Sequence, residues 1–406
     1  MFWRTTAGSG VTGGNHHFVA DMSLIVDRLV SDLAERQAAG LYRRRQVVSG
    51  PQAPVLQTSK GELLSFCSND YLGLATDPRL VTALTKAAAH YGVGAGAAHL
   101  ISGHTAAHHA LEEQLAEFVG TERALLFSTG YMANLGVFTA LVRAGDLILQ
   151  DRLNHASLLD GAQLSAGRLR RYRHLDVVHL QRLLASTTSP CLIASDGIFS
   201  MDGDSAPYAE LISLACAHQA TLMIDDAHGF GVLGKQGRGS VDAAQVPIYM
   251  ATLGKAAGVA GAFVAGSADL IETLIQQARS YVYTTAMPAA LAAAASVSLD
   301  ILAAEEWRRT HLADLIHFFR HEAQLAGLPL LPSETPIQPL MLADADKASA
   351  WSQALLQYNI LVSAIRPPTV PQGSARLRIT LSAAHTKEQV EQLLAALIHI
   401  SRQHSV

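Results

Sequence analysis

Short, uniformly apolar runs recur between residues 124 and 253, and each ends in polar residues before a helical pattern begins. Ala124–Phe127 leads into Ser128, Thr129, Gly130 and Tyr131. Leu147–Leu149 leads to Asp151 and His155, and Leu192–Ala194 to Asp196 and Ser200. Thr221–Ile224 leads to Asp225, Asp226, Ala227 and His228, and Ile248–Leu253 to Lys255. Strands that are apolar on both faces and separated by helices specify a mostly parallel sheet covered on both sides. In open α/β sheets ligands bind beyond the carboxyl ends of the strands. The reactive side chains named here fall repeatedly at those ends.

The 406 residues suffice for a large domain with a smaller one attached. The expected division is an extension over 1–21, a helix and arm over 22–60, a large sheet domain over 61–287 and a small α+β domain over 288–406. Residues 1–21 are Gly- and Thr-rich, lack periodicity and lack the apolar core of a signal peptide, so they read as a disordered extension upstream of a start at Met22. Ser23–Ala39 carries apolar residues at helical spacing and stops at Gly40. After Pro288, Ala- and Leu-rich helices run to about Gly327. Three strands follow, at Ile337–Leu342, Leu361–Ile365 and Arg376–Leu381. A last helix opens at Thr386 with a capping box.

Net charge is −4, with no clustered basic face, which argues against a nucleic-acid partner. No apolar run approaches the roughly 20 residues of a membrane span. Three scattered cysteines, Cys67, Cys191 and Cys216, form no CxxC and suit a reducing cytoplasm. His104, His108 and His109 have helical spacing. Without an accompanying Cys or carboxylate cluster they read as a solvated helix face rather than a metal site. Arg43, Arg44 and Arg45 read as a solvated face or as the capture point of an anionic substrate.

Lys255 is the one charged residue of Pro247–Gly266, otherwise built of apolar and small residues. One reading puts it on a turn between two strands, in solvent. The other buries it; a desolvated lysine has a lowered pKa and a nucleophilic amine, the requirement for a Schiff base. Asp225 follows the preceding apolar run. A carboxylate beside a heterocyclic nitrogen keeps that nitrogen protonated, which is what pyridoxal 5′-phosphate (PLP) needs as an electron sink. Amides at a helix N-terminus and hydroxyls suit its phosphate, and Ser128–Tyr131 and Thr252 offer both. The ring of His155 can stack on a pyridine face. Taken singly, these residues read as helix caps and a core histidine; their joint order favours a cofactor site.

SNDYLGL (68–74), SGH (102–104), GYMAN (130–134), NHASLLDG (154–161), GIFSMDGD (197–204), DDAHGFGVLG (225–234) and TLGK (252–255) resemble the α-oxoamine synthases, a family of fold-type I PLP enzymes. AIRPPTVPQGSARLRITLSAAHT (364–386) is most similar to those members that join L-alanine to a pimeloyl thioester. The likeness runs from about Leu24 to about Leu397. It implies that Lys255 carries PLP and acts as base at Cα, that Asp225 pairs with the pyridine nitrogen, and that His228 bonds the ring oxygen. It implies that His155 stacks on the ring, Gly130 and Tyr131 cradle the cofactor, and Ser200 and Thr252 contact the phosphate or ring oxygen. Thr284 and Thr285 would reach the phosphate of a second subunit, making a homodimer. Asn69 would contact the substrate, Arg378 its carboxylate, Arg366 and Thr369 the acyl group, and Arg43 the far end of the acyl chain.

The sequence departs from the family pattern at Asp196, where a Glu is more usual, at Ala98 in place of Ser or Thr, and at Thr284 in place of Ser. Three alternatives stay open: another α-oxoamine synthase using glycine or a different acyl group, an aminotransferase, and a catalytically dead partner subunit. The last is disfavoured by the presence of Lys255.

Overall fold

The computed structural model describes residues 24–403 except Arg44 and Lys60, so the extension expected over 1–21 lies outside the described residues. The chain forms two units, divided after Val47. In the first, α1 (Leu24–Ala38) has the expected amphipathic spacing, with Asp27 in its first turn and Arg36 in its last, both favourable to the helix dipole. Its end is closed by the Leu41 N–H on the Arg36 carbonyl.

The second unit opens with a hairpin, β1 (Val55–Thr58) and β2 (Gly61–Ser65). Helix α2 (Pro78–Tyr91) follows, with Asp77 capping it and Pro78 at its first position. A single π-helical turn, His99–Gly103, then leads into α3 (Ala106–Val119). Next come β3 (Arg123–Phe127), α4 (Gly130–Leu141), β4 (Leu147–Asp151), α5 (Ala156–Leu164), β5 (Arg168–Tyr172) and α6 (Val177–Ala185). They are followed by β6 (Cys191–Asp196), α7 (Tyr208–Ala217), β7 (Thr221–Asp225), β8 (Ile248–Thr252) and β9 (Ala262–Gly266). Helices α8 (Ala268–Gln277), α9 (Arg279–Val282), α10 (Ala289–Ala304) and α11 (Glu306–Leu325) then lead to β10 (Ile337–Ala343) and α12 (Ala345–Leu356). The chain closes with β11 (Ile360–Leu361), β12 (Ser363–Ile365), β13 (Ala375–Thr380) and α13 (Lys387–Gln403). Thr386 and Gln389 form the expected capping box at α13. Among the described residues no helix is long and apolar enough to cross a membrane.

The seven-stranded sheet has the order β3-β9-β8-β7-β6-β4-β5. Only β9 runs antiparallel to its neighbours. β4, β6 and β9 are buried along their whole length, as the continuous apolar runs require. All strands except β9 therefore present their carboxyl ends at one edge. This is the α/β architecture of a fold-type I transferase, with a smaller antiparallel sheet, β10-β13-β12, near the C-terminus.

The hairpin strands β1 and β2 and the edge strand β5 escaped the sequence reading, and β9 entered it only as one of two strands flanking a Lys255 turn. β5 is RLRRY, an exposed edge strand whose arginines hide it from any search for apolar runs. β9 is the second half of Pro247–Gly266, folded back onto β8 in register from Ile248↔Gly266 to Thr252↔Ala262. Lys255 thus sits on the turn between two antiparallel strands, as the first of its two readings had it. Gly258 shapes that turn: its φ is +69°, and a Cβ there would lie 2.5 Å from the backbone of Leu74 and Ala75.

Candidate functional site

The turn places Lys255 inward, and this is where the second reading holds. Gly130, Tyr131, His155, Ser200, Asp225, His228, Thr252 and Lys255 all line one cavity of ≈ 220 Å³ at the carboxyl edge of the sheet. They arrive on separate loops following β3, β4, β6, β7 and β8. Asn134, Ser157, Asp196, Ile198, Ala227 and Met250 complete the wall.

Burial drives the Lys255 amine down to about 8, with Asp225 and Asp196 pulling the other way. Its Nζ lies 3.0 Å from Nε2 of His228. His228 is held neutral by burial and by the neighbouring Lys255 and Arg378 charges. Its Nδ1 lies 2.7 Å from the hydroxyl of Tyr71, which donates to Asn69 Oδ1 at 3.2 Å. Arg378 Nη2 donates to the same Asn69 oxygen at 3.2 Å, and Arg378 Nε donates to the Ser200 carbonyl at 2.6 Å. One hydrogen-bonded chain therefore links Lys255, His228, Tyr71, Asn69 and Arg378.

Asp225 ends β7 and is 5% exposed. Its Oδ2 accepts from Asn134 Nδ2 at 2.8 Å, and its Oδ1 from the Ala227 N–H at 3.1 Å. The other hydrogen of the Asn134 amide goes to Ser157 Oγ at 2.8 Å, and Ser157 Oγ lies 2.7 Å from His155 Nδ1. Burial lowers the His155 pKa against the pull of Asp225. Asp196 accepts the His155 N–H at 3.0 Å; burial, then the charge of Asp225, raises its carboxyl well above the usual carboxylate range. Asp226 has no place in the cavity. Its oxygens accept from Ser240 and from Tyr249, so it ties loops together.

Other expected residues lie elsewhere. Thr284 is half-buried and Thr285 exposed; Thr285 bridges Ala98, and Ala286 N–H bonds the Ala97 carbonyl at 2.9 Å. Arg366 and Thr369 flank the cis Pro367–Pro368 bond, beyond β12, and do not line the cavity. Arg43 belongs to the N-terminal unit. The Thr252 hydroxyl donates to the Gly261 carbonyl at 3.0 Å and accepts from the Gly254 N–H at 3.2 Å. It therefore holds the Lys255 turn as well as facing the cavity.

The histidine trio departs from the solvated face expected of it. His108 is fully buried, with Nε2 2.7 Å from the Met287 carbonyl and Nδ1 on Thr105. A carboxylate also accompanies the group, since His104, His109 and Glu112 converge. Asn134 and Tyr71 were missed as site residues. Both lie inside quoted motifs, but their partners are distant in sequence and no local pattern marks them.

The lining suits PLP. The first-turn amides of α4, at Gly130 and Tyr131, have no partner within the helix, and both residues line the cavity. Asp225 offers this cavity a carboxylate and Lys255 an amine, the two groups a pyridine nitrogen and an aldehyde call for. Asp196 Oδ1 and Asn134 Oδ1 are buried without a hydrogen-bond partner, acceptor capacity left on the wall of the cavity.

The aminotransferase class I and II family model matches residues 61–397. The chain is 57% identical over 376 residues to the 8-amino-7-oxononanoate synthase of Thioalkalivibrio sulfidiphilus, covering 91% of this chain and 96% of that one. It is 55% identical over 375 residues to that of Cellvibrio japonicus, covering 91% and 94%. Among solved structures, a lysine-to-alanine variant of serine palmitoyltransferase from S. paucimobilis, with a bound PLP–myriocin aldimine, superposes with a TM-score of 0.88 at 28% identity, covering 94% of this chain and 99% of that one. The 8-amino-7-oxononanoate synthase of Francisella tularensis superposes with a TM-score of 0.74 at 32% identity, covering 85% and 99%. The backbone is thus common to enzymes of different acyl specificity, and sequence identity makes the finer distinction. The chain belongs to the 8-amino-7-oxononanoate synthases, PLP-dependent acyltransferases of biotin biosynthesis within the aminotransferase class I and II family.

Proposed function

We propose that this chain joins L-alanine to a pimeloyl thioester, on coenzyme A or on an acyl carrier protein. The products are 8-amino-7-oxononanoate, CO2 and the free thiol. The observation that carries the assignment to residues is the placing of Lys255 and Asp225 in one cavity at the carboxyl edge of the sheet.

PLP, when bound, supplies an electron sink that stabilises negative charge at the amino-acid Cα. Lys255 Nζ would hold it covalently and, when free, would remove and return the Cα proton; an amine brought down to about 8 suits both roles near neutral pH. Asp225 would keep the ring nitrogen protonated, and Asn134 holds Asp225 in place. His155 offers the stacking surface. Gly130 and Tyr131 receive the phosphate on the amides of α4, with Ser200 and Thr252 beside them. His228, neutral and backed by Tyr71, presents Nε2 to the ring oxygen. Arg378 takes the alanine carboxylate before it leaves as CO2, and Asn69 positions the amino acid. Arg366 and Thr369 meet the acyl group, and Arg43 its distal carboxylate.

The enzyme works as a homodimer in the cytoplasm, with Thr284 and Thr285 given to the partner's phosphate site. Supporting this, the segment carrying them is paired with the 97–98 backbone, and Val93 and Tyr283 are 86% and 73% exposed. Large apolar side chains held so open on adjoining segments suit a protein contact. All three cysteines are free, as in a reducing compartment.

The test is a product assay pairing alanine, glycine or serine with pimeloyl, acetyl or succinyl thioesters, run beside Lys255→Ala. The parent should prefer alanine and the pimeloyl thioester and release CO2. Lys255→Ala should lose both the visible absorption of the lysine-bound cofactor and product formation. Preference for glycine with a short acyl group, or turnover with a keto acid and no CO2, would overturn the assignment.

A further inference from the structure

A second cavity, of ≈ 410 Å³, is lined by His99, His104, His109, Glu112 and Tyr281 among others. His109 and Glu112 lie three residues apart on α3, on one face of the helix. His104 immediately follows the π-helical turn that precedes α3 and approaches the same point. One ligand atom from each of the three lies within 4.8 Å of the other two. His104 Nε2 is 3.9 Å from Glu112 Oε2.

The groups around these three side chains set them up as ligands. Glu112 Oε1 accepts the Leu126 N–H at 2.9 Å, which fixes the carboxylate and turns Oε2 toward the histidines. Among the described residues no lysine or arginine forms an ion pair with that carboxylate. Arg123, which lines the same cavity, donates to Glu272 at 3.2 Å. His104 Nδ1 lies 3.0 Å from His99 Nδ1, so one of the two carries the proton. His99 is buried and its ring is stacked on Tyr281 at 4.8 Å. With the proton on His104 Nδ1 and His99 accepting it, the Nε2 lone pair of His104 faces Glu112. This is the outer-shell arrangement that orients metal-binding histidines.

We propose that His104 Nε2, His109 Nε2 and Glu112 Oε2 form a binding site for a divalent transition metal of the zinc class. Two imidazoles and one carboxylate are the ligand set of an open, three-residue zinc site, with water in the remaining position. Metal–nitrogen and metal–oxygen bonds of about 2.0–2.2 Å require the ligand atoms to close by about 1 Å. His109, 66% exposed in its side chain, is free to move that far. Glu113 Oε1, 3.4 Å from His109 Nε2, is the nearby alternative partner that the metal displaces. Bound metal would tie the 99–103 turn to α3, and through Glu112 to β3.

The test uses the PLP-loaded protein, dialysed against chelator and titrated with Zn2+ and Co2+. One ion should bind per chain, with a rise in Tm of a few degrees. Co2+ should give the visible bands of a nitrogen- and oxygen-ligated site of low coordination number. His104→Ala, His109→Ala and Glu112→Gln should each abolish the bands while retaining the PLP absorption that reports a folded active site. His99→Phe should weaken Zn2+ by about 10–100-fold, as loss of an outer-shell partner does. Undiminished Co2+ bands in His104→Ala and His109→Ala, or no binding to the parent at millimolar metal, would overturn the proposal.

Discussion

Asn134 occupies the point of the cavity where a small change in chemistry has the largest expected consequence. Its amide donates to both Asp225 and Ser157, and through Ser157 it also sets the orientation of His155. A hydrogen bond to a charged group contributes about 1.5–3 kcal/mol. Asn134→Ala should therefore lower kcat/KM by about 10–100-fold, since Asp225, the proposed partner of the ring nitrogen, would lose the donor that fixes it. Asn134→Asp should be worse, because it sets a second carboxylate against Asp225 in a dry cavity. Steady-state kinetics, with cofactor affinity from the visible absorption, checks both. An unchanged rate in the Ala variant would reduce Asn134 to a space-filling role. Local pattern could identify Lys255, alone in an apolar run. It could not identify Asn134, an ordinary polar residue in a helix, until β7 brought Asp225 to it.

At the scale of elements, the link from β5 to α6 is held by a charged histidine. His174 Nδ1 bonds Asp151 at the end of β4, and Nε2 bonds Asp204 in the loop after β6, both at 2.9 Å. Burial opposes the charge on this ring, but the two carboxylates outweigh it and raise the pKa to about 10 from an ordinary 6.5. The folded state binds the proton more tightly than the unfolded chain. The stability this confers is complete below pH 6.5 and lost as pH rises to about 10. Thermal unfolding across that interval should show a falling Tm in the parent and a shallower fall in His174→Gln. Parallel slopes would remove His174 as the cause. The same element explains a gap in the sequence reading. β5 needs no apolar run because it is an exposed edge strand, paired on one side to β4.

Across the second unit, the small sheet is fastened to the large one through two arginines of β13. Arg378 reaches Ser200 and Asn69 beside the cavity. Arg376, 3% exposed, donates to Asp202 Oδ1 at 2.6 Å and to the Met201 carbonyl at 3.1 Å. Removing one member of such a pair leaves the other charge desolvated and costs about 3–5 kcal/mol. Asp202 is 18% exposed, so Arg376→Ala should fall toward the lower end, about 3 kcal/mol by denaturant unfolding. KM for alanine should rise as well, since β13 also carries Arg378. A loss of stability with KM unchanged would show that the two arginines act independently.

Local chemistry alone determined a great deal. Apolar runs with glycine and polar breaks defined the parallel strands, and the same breaks put Tyr131, His155, Ser200, His228 and Lys255 at carboxyl ends, which lie at one edge in any right-handed α/β sheet. The capping box of α13 was readable in the same way, because its cause lies within a few residues; whether Lys255 faced solvent or the interior was decided only when the fold set it against His228 and Asp225. The hydrogen-bonded chain from Lys255 through His228 and Tyr71 to Asn69 and Arg378, and the Asn134–Asp225 pair, belong to another level. Arg378 meets a partner 309 residues away and Asn134 one 91 residues away. Such contacts follow from strand order and helix packing, to which the period of a local pattern carries no information.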